Sequence, residues 1–326
     1  MPVAALPLAA ASPSAAGALD AGASLWALLG VLVVAMLALD LLVFARRGTP
    51  SLRASAAWSV AWLAVALGFG AALWAGKGGE AGAEYLAGYL LERSLSLDNL
   101  FVFAVILSYF AVPGEKVQGK VLAWGIMLAL VLRLVFIIAG AALLDAFHIT
   151  FYVFGALLLY TAYKLARHDN VEIEPEHNPL LKQLRKRVTM TDDYDGDKLF
   201  TKVNGKRVAT PLLAVFVVIA STDILFAVDS IPAIFAVTQE PFIVFAANAF
   251  ALIGLRALYF LLVGLMDRFV YLTQGLSVIL AFIGVKMLLI DVWHVPIWLS
   301  LAFIAGTLAL TAVVSLRAQP KAKTPA

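Results

Sequence analysis

Long apolar segments separated by polar ones make up most of this chain. A helix needs roughly 20 apolar residues to cross the hydrocarbon core of a bilayer. Nine segments approach or exceed that length: 24–45, 55–75, 85–110, 118–143, 149–166, 211–238, 242–266, 271–290 and 295–316. The pattern therefore predicts an all-α membrane protein with about nine transmembrane helices, numbered here helix 1 to helix 9.

The composition supports a membrane protein and excludes some chemistry. Of the 326 residues, 63% are hydrophobic and 14% are charged, whereas a soluble domain usually carries about 25% charged residues. The chain contains no cysteine, which excludes disulfides and thiolate metal sites. The basic residues lie mostly in the predicted loops, where they report membrane orientation and do not suggest a nucleic-acid partner.

The polar segments divide the chain into five parts. Residues 1–23 are rich in Ala and Pro without a basic start, so we expect a flexible external tail and not a secretory signal. The other parts are residues 24–166 with helices 1–5, a cytoplasmic loop at 167–210, residues 211–316 with helices 6–9, and a cytoplasmic tail at 317–326. In short loops, Lys and Arg concentrate on the cytoplasmic side. The loops after helices 1, 3, 5 and 7 hold most of them, which predicts an external N-terminus and a cytoplasmic C-terminus.

Three features are predicted within the 167–210 loop. Residues 178–188 form a basic, partly amphipathic pattern typical of a helix at a membrane surface. The acidic segment 192–197 reads as a plain turn, because it lacks the Glu that completes a calcium loop. Residues 200–208 alternate around Asn204-Gly205, a pattern that predicts a β-hairpin.

A set of rare polar residues recurs along the chain. Ser96-x-Asp98-x-Leu100-Phe101 matches Ser221-x-Asp223-x-Leu225-Phe226, and Arg133 and Lys164 match Arg256 and Lys286 at nearly the same offset. These matches indicate that helices 3–5 are repeated as helices 6–8. Because three is an odd number, the second copy must enter the membrane from the opposite side. The result is an inverted repeat, a transporter architecture in which substrates bind near the midplane.

Five carboxylates lie inside predicted spans, at Asp40, Glu92, Asp98, Asp223 and Asp229. A charge at the bilayer centre costs about 2.5–3.5 kcal/mol on insertion scales, so each needs a partner or a function. One interpretation is buried ion pairs with the bases in the spans, and it is favoured chiefly for the bases that recur between the repeats, at Arg133, Arg256 and Lys286.

The acids of helices 3 and 6 allow a second interpretation. They lie among hydroxyl and amide groups that include Asn99 and Ser230, and Asn248 of helix 7 can add another amide. Pro232 predicts a break in helix 6 that would free a carbonyl oxygen. Carboxylate, carbonyl and amide oxygens suit Mg²⁺, Ca²⁺ and Mn²⁺, so the sequence predicts a site for a hard divalent cation.

Several long motifs resemble the TerC/Alx family of bacterial inner-membrane proteins, which is named for tellurium resistance. They begin at Glu92-Arg-Ser-Leu-Ser-Leu-Asp98, Thr191-Asp-Asp-Tyr-Asp, Ser221-Thr-Asp223-Ile-Leu-Phe and Gly254-Leu-Arg-Ala-Leu-Tyr. The resemblance runs from about residue 40 to residue 290. It implies manganese efflux across the bacterial cytoplasmic (inner) membrane, with the acidic motif residues of the family at Asp98, Asp223 and Asp229.

We therefore expect a secondary transporter that exports Mn²⁺, with protons as a counter-ion and no bound cofactor. The expected metal site comprises Asp98, Asp223, Asp229, Glu92, Asn99, Ser230 and Asn248, with Asp40 on the access path. An enzyme is not expected, because no helix carries a nucleophile–base pair. Two alternatives stay open: an exporter of another cation such as Ca²⁺, and a non-transporting membrane scaffold in a tellurium or envelope-stress complex. The sequence does not predict an oligomeric state.

Overall fold

The structure is a computed structural model that describes residues 21–47, 51–167, 178–203, 205–262, 271–293 and 295–317. The two predicted tails lie almost wholly outside these residues. The described elements are α1 (Ala23–Arg47), α2 (Leu52–Lys77), α3 (Gly79–Tyr109), α4 (Gly114–Ala146), α5 (Ile149–Arg167), α6 (Pro179–Arg187), β1 (Phe200–Val203), β2 (Lys206–Ala209), α7 (Pro211–Phe235), α8 (Pro241–Ile253), α9 (Leu255–Leu262), α10 (Leu272–Leu288) and α11 (Ile297–Arg317).

The described helices confirm an α-helical membrane protein. Within the described residues, seven helical segments are long and apolar enough to cross a membrane by length and composition: α1, α2, α4, α5, α7, the α8–α9 segment and α11. Helix α3 has 31 residues but carries Glu92 and Arg93 in its middle, and α10 has only 17 residues. The predicted number of nine is therefore not established by these criteria.

Helix α8 lies at the centre of the helix assembly. All of its residues from Phe242 to Ile253 are buried, and it packs against α1, α2, α3, α4 and α7. Helices α1, α2 and α11 instead expose most of their apolar side chains. An apolar outer surface around a buried central helix is the arrangement expected of a protein whose solvent is lipid.

The predicted helix and hairpin of the 167–210 loop are both present. Helix α6 begins after Asn178, whose side-chain oxygen accepts hydrogen bonds from the backbone N–H groups of Leu180 at 3.0 Å and Leu181 at 3.1 Å. Strands β1 and β2 pair antiparallel. In the turn between them, Gly205 has φ +77°, a backbone conformation that glycine adopts without strain. The other predicted turn residue, Asn204, lies outside the described residues.

The acidic segment is a turn held to the membrane helices. Thr201 and Lys198 donate to the Asp195 carboxylate at 2.7 and 3.0 Å. Lys120 of α4 donates to Asp197 at 2.5 Å, and this hydrogen bond holds the pKa of the Asp197 carboxyl below its usual range. Tyr194 donates to the carbonyl of Phe110 at 2.6 Å. The loop is thereby attached to the adjoining ends of α3 and α4.

The helix interruption lies at a different place from the predicted one. Helix α7 continues through Pro232 and ends only at Phe235, so the predicted break at Pro232 was wrong. Predicted helix 7, in contrast, is divided at Gly254 into α8 and α9. Pro232 has no N–H to donate to the Val228 carbonyl, but the helix still continues for three residues beyond it.

Candidate functional site

Polar side chains from four helices meet at Arg133, near the middle of α4. Its side chain is completely buried. The residues around it, called here the Arg133 cluster, are Glu92 and Ser96 from α3, Asp223 and Ser230 from α7, and Asn248 from α8. The site therefore lies where the core helices of the assembly converge.

The guanidinium group of Arg133 contacts both acids of the cluster. Its Nη1 donates to Glu92 Oε1, to Asn248 Oδ1 at 2.6 Å and to Ser230 Oγ at 3.3 Å. Its Nη2 lies 3.7 Å from Asp223 Oδ1, an ion pair beyond hydrogen-bond distance. Ser96 also donates to Glu92 Oε1, at 3.2 Å. Ion pairing of Arg133 was one of the predicted interpretations, and it is confirmed.

The cluster has more acidic groups than basic ones. Two carboxylates, Glu92 and Asp223, share the single guanidinium of Arg133. Glu92 Oε2 and Asp223 Oδ2 are buried and have no hydrogen-bond partner among the described residues. Buried polar atoms in proteins normally have a partner, so these two oxygens retain the capacity to bind a cation or a water molecule.

The described side chains do not by themselves complete a metal site. Within the described part of the chain, no three Asp, Glu, His or Cys side chains gather as metal ligands. The side chain of Asp98, a predicted ligand in α3, lies outside the described part. The next residue, Asn99, is buried in α3. The described contribution is therefore two carboxylates with serine and asparagine oxygens beside them.

Two other predicted ligands have different partners. Asp229 accepts a hydrogen bond from Thr161 of α5 at 3.1 Å, although its neighbour Ser230 contacts Arg133. Consecutive residues of an α-helix point about 100° apart, which explains the divergence. Asp40 of α1 pairs with Arg256 of α9, with Asp40 Oδ2 3.3 Å from Arg256 Nε. The structure thus groups Glu92, Asp223, Ser230 and Asn248 and places Asp229 and Asp40 beside other helices.

The remaining bases in the spans make other contacts. Arg256 was expected to form an ion pair with an unnamed acid; it pairs with Asp40 and also donates to the Asp40 carbonyl at 2.9 Å. Lys286 lies 3.2 Å from the hydroxyl of Ser300. Arg93 donates to the carbonyl of Ala251 at 2.7 Å, in the last turn of α8.

Neither the Arg93 contact nor the interruption at Gly254 was predicted from the sequence. A Cβ atom at position 254 would lie 3.0 Å from the Arg93 guanidinium, so glycine leaves room for this close approach. One feature of the sequence could have indicated the interruption: a glycine inside an apolar span makes a continuous helix less expected.

Comparisons with known proteins agree with the resemblance in the motifs. The family model described as "Integral membrane protein TerC family" matches residues 77–323. An uncharacterised membrane protein of Myxococcus xanthus is 47% identical over 293 residues, which cover 90% of this chain and 92% of that protein. A protein of Escherichia coli named "Putative membrane-bound redox modulator Alx" is 44% identical over 301 residues, covering 89% of this chain and 94% of that protein. No solved structure matches the chain significantly. This chain belongs to the TerC family of integral membrane proteins.

Proposed function

We propose that this protein is a secondary transporter that exports a hard divalent cation, with Mn²⁺ as the first candidate. The observation that carries the proposal is the meeting of Glu92 and Asp223 at one buried arginine, each with an unpartnered carboxylate oxygen. The two acids come from α3 and α7, the helices that begin the two halves of the predicted repeat.

The chemistry of the Arg133 cluster favours a hard cation. Its potential ligand atoms are carboxylate, hydroxyl and amide oxygens from Glu92, Asp223, Ser230 and Asn248, which suit Mn²⁺, Mg²⁺ and Ca²⁺. When both carboxylates are ionised, they exceed the single guanidinium by one negative charge. A cation that binds the free oxygens would neutralise this excess.

Arg133 would act as an internal substitute for the transported cation. Bare carboxylates at this depth would each cost several kcal/mol on insertion scales. In the structure, the guanidinium of Arg133 partly neutralises Glu92 and Asp223. An arriving Mn²⁺ would compete with Arg133 for the same oxygens, and after release the arginine would return to them. Protons are the proposed counter-ion.

In the proposed mechanism α3 and α10 also cross the membrane, which gives nine transmembrane helices. The inverted repeat of helices 3–5 and 6–8 is part of the same mechanism. The close contact of α5 and α10, the last helices of the two halves, supports the repeat. A Cβ at Gly155 would lie 3.1 Å from the Gly284 carbonyl oxygen, and one at Gly284 would lie 3.0 Å from the Gly155 carbonyl oxygen. Such a reciprocal contact is expected for equivalent helices related by a twofold axis. The external N-terminus, the cytoplasmic C-terminus and the inner-membrane location belong to the same proposal.

A non-transporting scaffold is the second candidate, and the ion pair itself favours it. If Arg133 only neutralises Glu92 and Asp223, the cluster would serve to join α3, α4 and α7. The name of the Escherichia coli relative adds a redox role, but this chain has no cysteine to act as a thiol couple. A redox effect would therefore have to pass through a bound metal or a partner protein.

Flux measurements separate these candidates. We expect the purified protein in liposomes to carry Mn²⁺, and Glu92→Gln and Asp223→Asn to abolish the flux. Asp291→Asn, which changes an exposed carboxylate at the end of α10, is the matched control and should retain flux. Ca²⁺ and Mg²⁺ are assayed in parallel to define selectivity.

The double variant Glu92→Gln with Arg133→Gln discriminates further. It removes one acid and the base together, so no unpaired charge is added. If the protein is a scaffold, the amount of folded protein and its binding to partner proteins should be unchanged. A transporter should fold and yet carry no Mn²⁺. Full flux in this double variant, or in Asp223→Asn, would rule out the proposed site.

A further inference from the structure

A second group of buried polar atoms lies between α1, α2 and α9, outside the Arg133 cluster. It contains Asp40, Ser55, Ser59 and Trp62, all less than 9% exposed. Asp40 Oδ1 and the two serine hydroxyls have no hydrogen-bond partner among the described residues, whereas the Trp62 N–H faces the Asp40 carboxylate. Three such atoms in one group are unusual, because most buried side-chain polar atoms in proteins have a protein or water partner.

Three of these residues are aligned along α2. Ser55, Ser59 and Trp62 are spaced i, i+4 and i+7 on one face of α2, which places them in a row along the helix. Ser55 is itself buried but lies in the first turns of α2, close to the exposed residues 51–53. Asp40 is seven residues before the end of α1, and Ser59 is seven residues after the start of α2. At 1.5 Å per residue, both lie about 10 Å from the α1–α2 connection.

The inner end of the row approaches the central site. Trp62 Cβ lies 3.3 Å from the Cβ position at Gly254, and the Arg93 guanidinium lies 3.0 Å from the same position. Arg93 binds the Ala251 carbonyl in α8, one turn from Asn248 of the Arg133 cluster. Arg93 also follows Glu92 directly in α3.

The chemistry of the row suits water. Serine hydroxyls and the Trp62 N–H can donate, while Asp40 Oδ1 can accept. A buried water typically makes about three such hydrogen bonds to groups that would otherwise be unsatisfied. The charge of Arg256 offsets that of Asp40, so the row does not present the negative excess needed to hold a cation.

We propose that Asp40, Ser55, Ser59 and Trp62 line a water-filled access path from the α1–α2 end of the molecule toward the Arg133 cluster. Water in this path would hydrate ions or protons on their way to the central carboxylates. The claim that ions or protons use this path rests on the proposed transport function. The claim that the path contains water does not.

Cysteine labelling tests the hydration directly, because the natural chain has no cysteine. Ser55→Cys, Ser59→Cys and Val60→Cys are each treated, in membranes, with a small water-soluble methanethiosulfonate. Val60 is adjacent to Ser59 but 64% exposed on the outer surface, where lipid would surround it. The thiolate is the reactive species and forms only in a polar environment. We expect the two serine positions to react at least about tenfold faster than position 60.

The possible results are distinct. No reaction of Ser55→Cys and Ser59→Cys, while Lys202→Cys in the hairpin reacts, would overturn the path. Equal reaction rates at positions 59 and 60 would also overturn it, because water would then reach both faces of α2. Both serine variants are used so that loss of one through misfolding leaves the other as a test.

A second measurement tests the route. Ser59→Cys is labelled with a bulky methanethiosulfonate, and Mn²⁺ flux is compared before and after labelling. A loss of at least about tenfold, reversed by a reducing agent that removes the label, supports the route. Unchanged flux in fully labelled protein refutes it. Absence of flux in the unmodified chain refutes the proposed transport instead, while the labelling rates still decide the hydration.

Discussion

The Arg133 cluster is costly to bury, and its charges depend on one another even though Glu92 Oε2, Asp223 Oδ2 and two Arg133 nitrogens have no hydrogen-bond partner among the described residues. A buried charge is tolerated when it is paired and hydrogen-bonded, and removal of one partner leaves the other uncompensated. Arg133 has three hydrogen-bond acceptors on Nη1 and an ion pair on Nη2. No apolar substitution of one member can preserve this balance.

Single neutralisation of Arg133 should destabilise the fold strongly. We expect Arg133→Gln to lower the free energy of unfolding by about 3–5 kcal/mol, because Glu92 and Asp223 then share no cation. The measurement is thermal unfolding in detergent micelles.

A distant carboxylate supplies the control for this experiment. Glu80, in the first turn of α3, is exposed, and Glu80→Gln should change stability by less than about 0.5 kcal/mol. Equal stability of the Arg133 and Glu80 variants would contradict the pairing described for the cluster.

At the scale of helices, two close approaches depend on glycine. Gly254 separates α8 from α9 and admits the Arg93 guanidinium to the Ala251 carbonyl. Gly155 and Gly284 bring the backbones of α5 and α10 together. Small residues at such crossings allow the van der Waals contact that drives helix association in membranes.

The α5–α10 contact gives a matched pair of substitutions. A Cβ at Gly155 would meet the Gly284 backbone at 3.1 Å and Leu288 at 3.0 Å, whereas one at Gly68 in α2 would meet nothing within 4 Å. We expect Gly155→Ala to destabilise the protein by about 1–3 kcal/mol through overpacking. Gly68→Ala should be neutral or stabilising by up to about 1 kcal/mol, since alanine favours the helix. Equal unfolding temperatures for the two variants would argue against the tight crossing.

For the molecule as a whole, the 167–210 loop is attached to the membrane helices through polar contacts. The Lys120–Asp197 ion pair is partly exposed, at 39% and 46% for the two side chains. Exposed pairs contribute little to global stability. Its effect should instead be local, on how firmly the acidic turn is held against α4.

The sign of the pH dependence follows from the lowered pKa of Asp197, whose first cause is the hydrogen bond from Lys120. The pKa of Asp197 is lower in the folded protein than the value of about 3.9 in an unfolded chain. The contact with Lys120 is therefore fully formed above that unfolded pKa, and it is lost as the pH falls through the lower pKa of the folded protein. We expect the protection of residues 191–199 from hydrogen exchange, relative to the intrinsic rate at each pH, to fall below about pH 4. Asp197→Asn should show low protection at every pH, and Asp192→Asn should behave like the natural chain. An Asp197→Asn profile identical to the natural one would exclude this attachment.

Local patterns were enough to predict much of the architecture. The apolar segments identified the membrane helices, Asn178 and the basic run after it marked α6, and Asn204-Gly205 marked the hairpin. These features depend on residues near one another in sequence, through helix caps, turns and the length needed to cross a bilayer. The presence of acids at membrane depth was predictable for the same reason.

Which acid meets which base was decided only by the tertiary structure. Asp229 and Ser230 are neighbours in sequence but face Thr161 and Arg133, while Asp40 joins Arg256 across more than 200 positions of the chain. Such pairings depend on how each helix is rotated about its axis and on how deeply it sits, and both are set by side-chain packing against other helices. The sequence alone therefore determined which residues lie within the spans, and packing determined that two of the acids share Arg133.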